Sequence, residues 1–182
     1  MKEKMNSLIL VNREHACPED LAQDLVPVCG AYPHVLMERQ AARALSRMME
    51  QLDGWRFIVP VSGWRSMEEQ RTLYEQSLRE HGQAFTERFV ALPGHSEHQT
   101  GLAIDLGLLQ PEIDVIRPDF PNDGICRHFR DLAPAFGFVE RYPEGREHIT
   151  GIAHEPWHFR YTGIPHAEYM TRRHLTLEEY VG

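Results

Sequence analysis

From His34 to Leu52 the apolar residues fall at Val35, Leu36, Ala41, Leu45, Met48, Met49 and Leu52. That is close to the i, i+3, i+4, i+7 spacing of one helical face, so the pattern predicts an amphipathic helix over 34–52. Arg56 to Val61 (RFIVPV) is β-branched and aromatic between Gly54 and Gly63, and reads as a strand. Ser66 with Glu69 three residues on forms a capping box that opens a long helix to about Arg79, with a second helical stretch toward Val90. Leu92-Pro93-Gly94 breaks the pattern, and Gly101 to Leu106 (GLAIDL) then alternates as a strand does. Residues 107–124, rich in Pro, Asp and Gly, read as a loop or lid. Helical spacing returns over Ile125 to Phe136. Thr150 to Tyr161 reads as a strand, and Pro165 to Arg172 and Leu175 to Tyr180 as short closing helices, the last with Thr176 followed by Glu179. At the other end, Ser7 to Asn12 reads as a short strand and Pro18 to Leu21 as a turn. Few short strands among helices predict an α+β fold, with helices packed around a small, mostly antiparallel sheet.

Length and charge narrow the classes. The 182 residues suit one domain, 1–182, with a single substantial core. A formal charge of -8 and the lack of a Lys/Arg stripe exclude a nucleic-acid surface. The apolar run from Leu8 to Val11 is too short for an export signal or a membrane span. Three cysteines without CxxC spacing favour reduced thiols, with Cys17–Cys29 pairing left open. Together these predict a cytoplasmic protein.

Two segments concentrate groups able to bind a metal: Ser96 to Asp105 (SEHQTGLAID) and His154 to Arg160 (HEPWHFR). Catalytic zinc takes three imidazole or carboxylate ligands and leaves a fourth position for water. Read literally, His154 to His158 is an HExxH string, whose two histidines share a helical face in metalloproteases. Pro156 argues against that reading, because it lacks an N–H and biases Glu155 toward extended backbone. The flanks alternate as well, with Trp157, Phe159 and Tyr161 on one side and His158 and Arg160 on the other. If His154 is not a ligand, His158 needs partners, and His98 and Asp105 are on offer. Asp105 sits in an apolar run where a carboxylate is costly unless it is paired or metal-bound. Gly101 and Ala103 keep the backbone small for close approach to an ion. Glu155 is then spaced to take a proton from an attacking water.

SxHxxGxAxD followed by ExxH resembles the signature of the peptidases named for lysostaphin, D-alanyl-D-alanine peptidases and Sonic hedgehog. PGHSEHQTGLAIDLG, SGWRSMEEQ and EPWHFRYTG are most similar to the vancomycin-resistance D,D-peptidases of the VanX, VanY and VanXY types, over about residues 60–180. Among these the closing LTLEEYV most resembles the bifunctional cytoplasmic VanXY enzymes. The resemblance implies one zinc ion per chain on His98, Asp105 and His158, with Glu155 as general base. It further implies that Arg65 steadies the developing oxyanion, that Ser96 and Gln70 hold substrate, and that Trp157 forms a pocket wall. Trp64 departs from the Tyr usual before that arginine. The implied substrate is D-Ala-D-Ala, free or at the end of the precursor pentapeptide, and the implied biology is glycopeptide resistance. The rivals are a phage-type L-Ala-D-Glu endopeptidase, a non-catalytic zinc-bearing module, and the HExxH zincin. Of the eleven histidines, His15, His34, His81, His128, His166 and His174 read as surface or hydrogen-bonded residues, while His95, His148 and His154 stay open.

Overall fold

The computed structural model describes residues 6–182 apart from 20 and 22. Its centre is a four-stranded antiparallel sheet, built from β3 (Ile58–Ser62), β4 (Ala103–Leu108), β5 (Phe138–Glu140) and β6 (His158–Tyr161) in the order β3-β4-β6-β5. A separate antiparallel pair, β1 (Leu25–Pro27) and β2 (Leu36–Glu38), precedes α1 (Arg39–Gln51). The remaining helices are α2 (Met67–His81), α3 (Gln83–Phe89), α4 (Gly124–Leu132), α5 (Glu147–Thr150), α6 (Ile164–Arg173) and α7 (Leu177–Val181). The α+β expectation holds.

Sheet alternation sorts the side chains. Leu102, Ile104 and Leu106 turn to a core shared with Leu45, Met48 and Met49 of α1. Phe120, Phe129 and Phe159 meet edge to face in the same core, with ring centroids 4.8–5.6 Å apart. The opposite face of β4 and β6 carries Asp105, His158 and Arg160. The capping boxes at Ser66/Glu69 and Thr176/Glu179 both form, fixing the starts of α2 and α7.

Several boundaries differ from the sequence expectations. Ser7 to Asn12 is not a strand. The carbonyls of Ser7 and Ile9 are taken by the Arg160 guanidinium instead of a neighbouring strand. The helix expected from His34 starts at Arg39, because Leu36–Glu38 pairs with β1 and the Glu38 carboxylate then caps Gln40 N–H. Of the expected strand Thr150–Tyr161 only His158–Tyr161 pairs. Glu147–Thr150 is a helical turn, and the His158 N–H turns back to the Glu155 carbonyl. The helix over 125–136 gives way to a 3-10 turn, Ala133–Phe136, at Pro134. At Pro18, the Leu21 N–H reaches the Pro18 carbonyl as a turn requires; Asp20 lies outside the described residues, as do Met1–Met5. Cys17, Cys29 and Cys126 are free thiols.

Candidate metal centre

The register of the sheet assembles the site. Asp105 of β4 lies directly opposite His158 of β6. A bulge between Pro60 and Ser62 of β3 also brings Ser62 level with Asp105. His98 arrives from a 3-10 turn, Glu97–Thr100, whose N-cap is Ser96. The turn ends at Gly101 in the left-handed region (φ 74°). A Cβ there would lie 3.0 Å from the Glu38 backbone nitrogen, so this glycine's smallness serves packing on β2 and not, as expected from sequence, approach to an ion.

His98, Asp105 and His158 are all buried, and one ligand atom from each falls within 4.8 Å of the others. His98 Nε2 is 3.1 Å from Asp105 Oδ2, and His158 Nδ1 is 2.9 Å from Asp105 Oδ1. The far nitrogens are also engaged. His98 Nδ1 donates to the Gly63 carbonyl at 2.7 Å, which leaves the lone pair of Nε2 free for an ion. A Cβ on Gly63 would lie 2.2 Å from the Leu36 carbonyl, so only glycine allows the strand to pass there. Two buried imidazoles and a carboxylate converging in this way form a donor set able to hold a metal ion.

Glu155 stands beside this cage, its Oε2 3.8 Å from His158 Nδ1. Burial and the neighbouring Asp105 and Glu97 push its carboxyl well above the usual range, against the pull of His158 and Arg65. Burial likewise opposes charge on Asp105, but His98 and His158 outweigh it and hold its carboxyl below the ordinary range. Burial lowers His98, with Arg65 adding to the effect. For His158 burial is outweighed by hydrogen bonds to Asp105 and Glu97, and its pKa is pushed up to about 9.

Arg65 is held rigidly. Its Nη2 donates to Ser62 Oγ at 2.7 Å and its Nη1 to Gln70 Oε1 at 2.6 Å, and Nη2 lies 3.9 Å from Asp105 Oδ2. Gln70 spends its amide nitrogen on the Ala91 carbonyl at 2.7 Å, so both ends of that side chain serve Arg65 and the wall. The Ser96 oxygen accepts the His98 N–H, leaving the hydroxyl proton for another partner. Trp157 both lines the pocket and packs in the core. All eight residues singled out from sequence line one pocket, together with Val115 and Ile116 from the loop after β4. Arg117 lies 5.1 Å from the Phe89 ring centroid and ties that loop to α3.

The open histidines fall elsewhere. His154 Nε2 meets Glu140 Oε1 at 3.1 Å, far from an HExxH helix. His95 Nδ1 meets the Asn12 carbonyl, and His148 lies on α5 beside a different groove. Sequence reasoning missed Tyr142, whose ring packs 4.8 Å from that of His158, and it missed Glu97. The signal available for Glu97 was its place between Ser96 and His98, both already singled out for the site.

Residues 34–164 match the family described as VanY, D-alanyl-D-alanine carboxypeptidase. Over 186 residues the chain is 42% identical to VanXYC of Enterococcus gallinarum, a bifunctional D-Ala-D-Ala dipeptidase and carboxypeptidase, covering 97% of this chain and 94% of that protein. The crystal structure of the vancomycin-resistance D,D-dipeptidase VanXYg, bound to a D-Ala-D-Ala phosphinate analogue, superposes with a TM-score of 0.94 at 51% identity, covering 96% of this chain and 70% of that one. A variant of the vancomycin-resistance D,D-pentapeptidase VanY, in complex with Zn(II), matches with a TM-score of 0.83 at 30% identity, covering 97% and 99% of the two chains. The chain belongs to the VanY family of D-alanyl-D-alanine carboxypeptidases.

Proposed function

We propose that this chain is a zinc-dependent D,D-peptidase that hydrolyses the D-Ala–D-Ala bond, both in the free dipeptide and at the end of the cell-wall precursor pentapeptide. The observation that carries the reading is the pocket in which His98, Asp105 and His158 converge with Glu155 and Arg65 beside them. Its likeness to VanXYC, which is named for both activities, supports the pair of substrates.

His98 Nε2, Asp105 and His158 Nδ1 would hold a zinc ion, which when bound would supply Lewis acidity toward the scissile carbonyl and the attacking water. Glu155 takes the proton of the attacking water and returns it to the leaving amine of the terminal D-alanine; a buried carboxylate of raised basicity suits both transfers. Arg65 meets the negative charge that develops on the carbonyl oxygen. Because Ser62 and Gln70 already fix its guanidinium, little reorganisation is needed as the charge appears. Ser96 offers its hydroxyl to the terminal carboxylate, and Trp157 bounds the space for the methyl group. Elements from Ser62 to Glu178 build this site and its surroundings, which supports reading the chain as one peptidase domain.

Among the described residues no helix is long and apolar enough to cross a membrane. We assign the enzyme to the cytoplasm, where such precursors are made and where their loss would remove the target of glycopeptide antibiotics. The test is release of D-alanine from free D-Ala-D-Ala and from the precursor pentapeptide, set beside cleavage of the L-Ala–D-Glu bond in a wall fragment, read from the peptides produced. Zinc-loaded protein is expected to act on the first two and to lose them on chelation. Glu155→Gln is expected to cost about 10²–10⁴-fold in turnover with zinc retained. Cleavage of the wall fragment alone would replace this reading with the endopeptidase one.

A further inference from the structure

Beyond the three ligands, the densest chemistry among the described residues is a set of charged side chains behind His158. Glu97 Oε1 accepts from Arg141 Nε at 2.7 Å and from Arg160 Nη1 at 2.6 Å. Arg141 goes on to grip Glu178 of α7 through two hydrogen bonds of 2.9 and 2.7 Å. Arg160 spends its Nη2 on the carbonyls of Ser7 and Ile9, at 3.0 and 2.7 Å. Asn12 Nδ2 closes the far end on Glu178 Oε1 at 3.2 Å. The side chains of Glu97, Arg141 and Arg160 have 0% exposure.

Two carboxylates and two guanidiniums cancel in charge, yet each had to leave water. Apolar residues of the same volume usually stabilise a core at least as well. Stability is therefore a poor reason for the cluster, and its geometry offers a better one. Glu97 has one oxygen left over: Oε2 lies 3.4 Å from His158 Nε2. The other nitrogen of that ring faces Asp105 and the metal position. An imidazole that binds an ion through Nδ1 carries its proton on Nε2, and an acceptor there fixes both the tautomer and the ring plane.

The two arginines determine which acceptor His158 meets. By occupying Oε1 they pin the carboxylate plane and leave Oε2 pointing at the ring. The connections also span the site. Glu97 is the neighbour of His98, and Arg160 lies two residues beyond His158 on the same face of β6, so their ion pair braces one ligand segment against the other. His98 needs no such device, since its Nδ1–H ends on the Gly63 backbone carbonyl.

We infer that Glu97, held by Arg141 and Arg160 and anchored through Arg141 to Glu178, is a positioning residue that orients His158 for the metal ion. The inference rests on reading His98, Asp105 and His158 as zinc ligands. It makes the closing helix α7 part of the metal site although α7 contributes no ligand.

The experiment measures zinc affinity of the full-length, zinc-stripped protein by competition with a chromogenic chelator, together with the visible absorption of the cobalt-substituted form. Glu97→Gln keeps the shape of the side chain but loses its charge, and is expected to bind zinc about 10–100-fold more weakly, with an altered cobalt spectrum. Glu178→Gln, one link further away, is expected to weaken zinc binding by a smaller factor. Met170→Ala, which hollows the small apolar cluster beneath α7 without touching a charge, is expected to melt earlier yet keep wild-type zinc affinity. A folded Glu97→Gln protein with wild-type zinc affinity and cobalt spectrum would overturn the assignment. Should that variant fail to fold, unchanged affinity in Glu178→Gln would overturn it instead. Equal weakening in Met170→Ala would also do so, by reducing the effect to loss of stability. Wild-type protein that takes up no zinc would instead sink the metal reading beneath it. Both outcomes are read from metal binding alone, without substrate cleavage.

Discussion

Changing the pH of the zinc-free protein tests the electrostatics of the cage directly. His158 is pushed up to about 9 from an ordinary 6.5, because Asp105 and Glu97 more than offset its burial. The sign follows from the direction of the shift. A histidine with a raised folded pKa adds stability that is fully present below about pH 6.5 and is lost as pH rises through about 9. At about 1.36 kcal/mol per pH unit, the span corresponds to roughly 3 kcal/mol. Glu155 acts in the same direction: its raised carboxyl holds a proton in the fold that the unfolded chain releases above about pH 4.5. For a chain of this size each kcal/mol moves the melting temperature by about 2–4 °C. Zinc-free protein is therefore expected to melt roughly 6–12 °C lower at pH 9.5 than at pH 6.5. Zinc must take the place of that proton, so its affinity should rise about tenfold per pH unit up to about pH 9. Calorimetry at pH 7 in buffers of different ionisation enthalpy should record release of about one proton per zinc. A melting temperature that stays level or climbs over this range, with zinc affinity independent of pH, would refute the charge assignment.

Three substitutions probe the remaining assignments. Arg65→Lys cannot keep both the Ser62 and Gln70 contacts and is expected to cut kcat about 10²-fold or more while zinc content, read by atomic absorption, stays at one per chain. His154→Ala is expected to retain zinc and His98→Ala to lose it, because His98, and not His154, converges with Asp105 and His158; zinc loss in His154→Ala would revive the helical signature. Phe129→Ala, in the fully buried ring cluster with Phe120 and Phe159, is expected to cost about 3–5 kcal/mol in denaturant unfolding without altering metal affinity.

The site was more legible in the sequence than the fold around it, and the reason is local. Pro156 argues against a helix across His154–His158, and the alternation after it puts His158 and Arg160 on one face; both signals span only a few residues. The capping boxes at Ser66 and Thr176 are equally local and were equally readable. What escaped depends on distant partners. Leu36–Glu38 reads as helix by periodicity and becomes strand only because Leu25–Pro27 lies beside it. Ser7 to Asn12 looks like a strand but has two of its carbonyls taken by a guanidinium from residue 160, more than 150 residues away in sequence. The role of Glu97 needs Arg141, Arg160 and Glu178 at once, a combination no short motif encodes.

Sheet register is the quantity on which the chemistry turns. With a side-chain period of two, a slip of one residue between β4 and β6 would swing Asp105 into the apolar core and bring Ile104 or Leu106 to the metal position. The core penalises that slip strongly, since Leu102, Ile104 and Leu106 would all lose their burial together, while a charged carboxylate would enter among Phe120, Phe129 and Phe159. The apolar face of β4 thus holds the ligand face in place. The Glu97–Arg160 ion pair acts on the other side of the same strands and ties the His98 turn to β6. Fold stability and ligand geometry are in this way enforced by different residues on opposite faces of the same two strands. That separation is why Phe129→Ala is expected to weaken the fold but not the metal site, whereas Glu97→Gln, which leaves the buried Arg141 and Arg160 guanidiniums short of a counter-charge, should weaken the metal site as well as the fold.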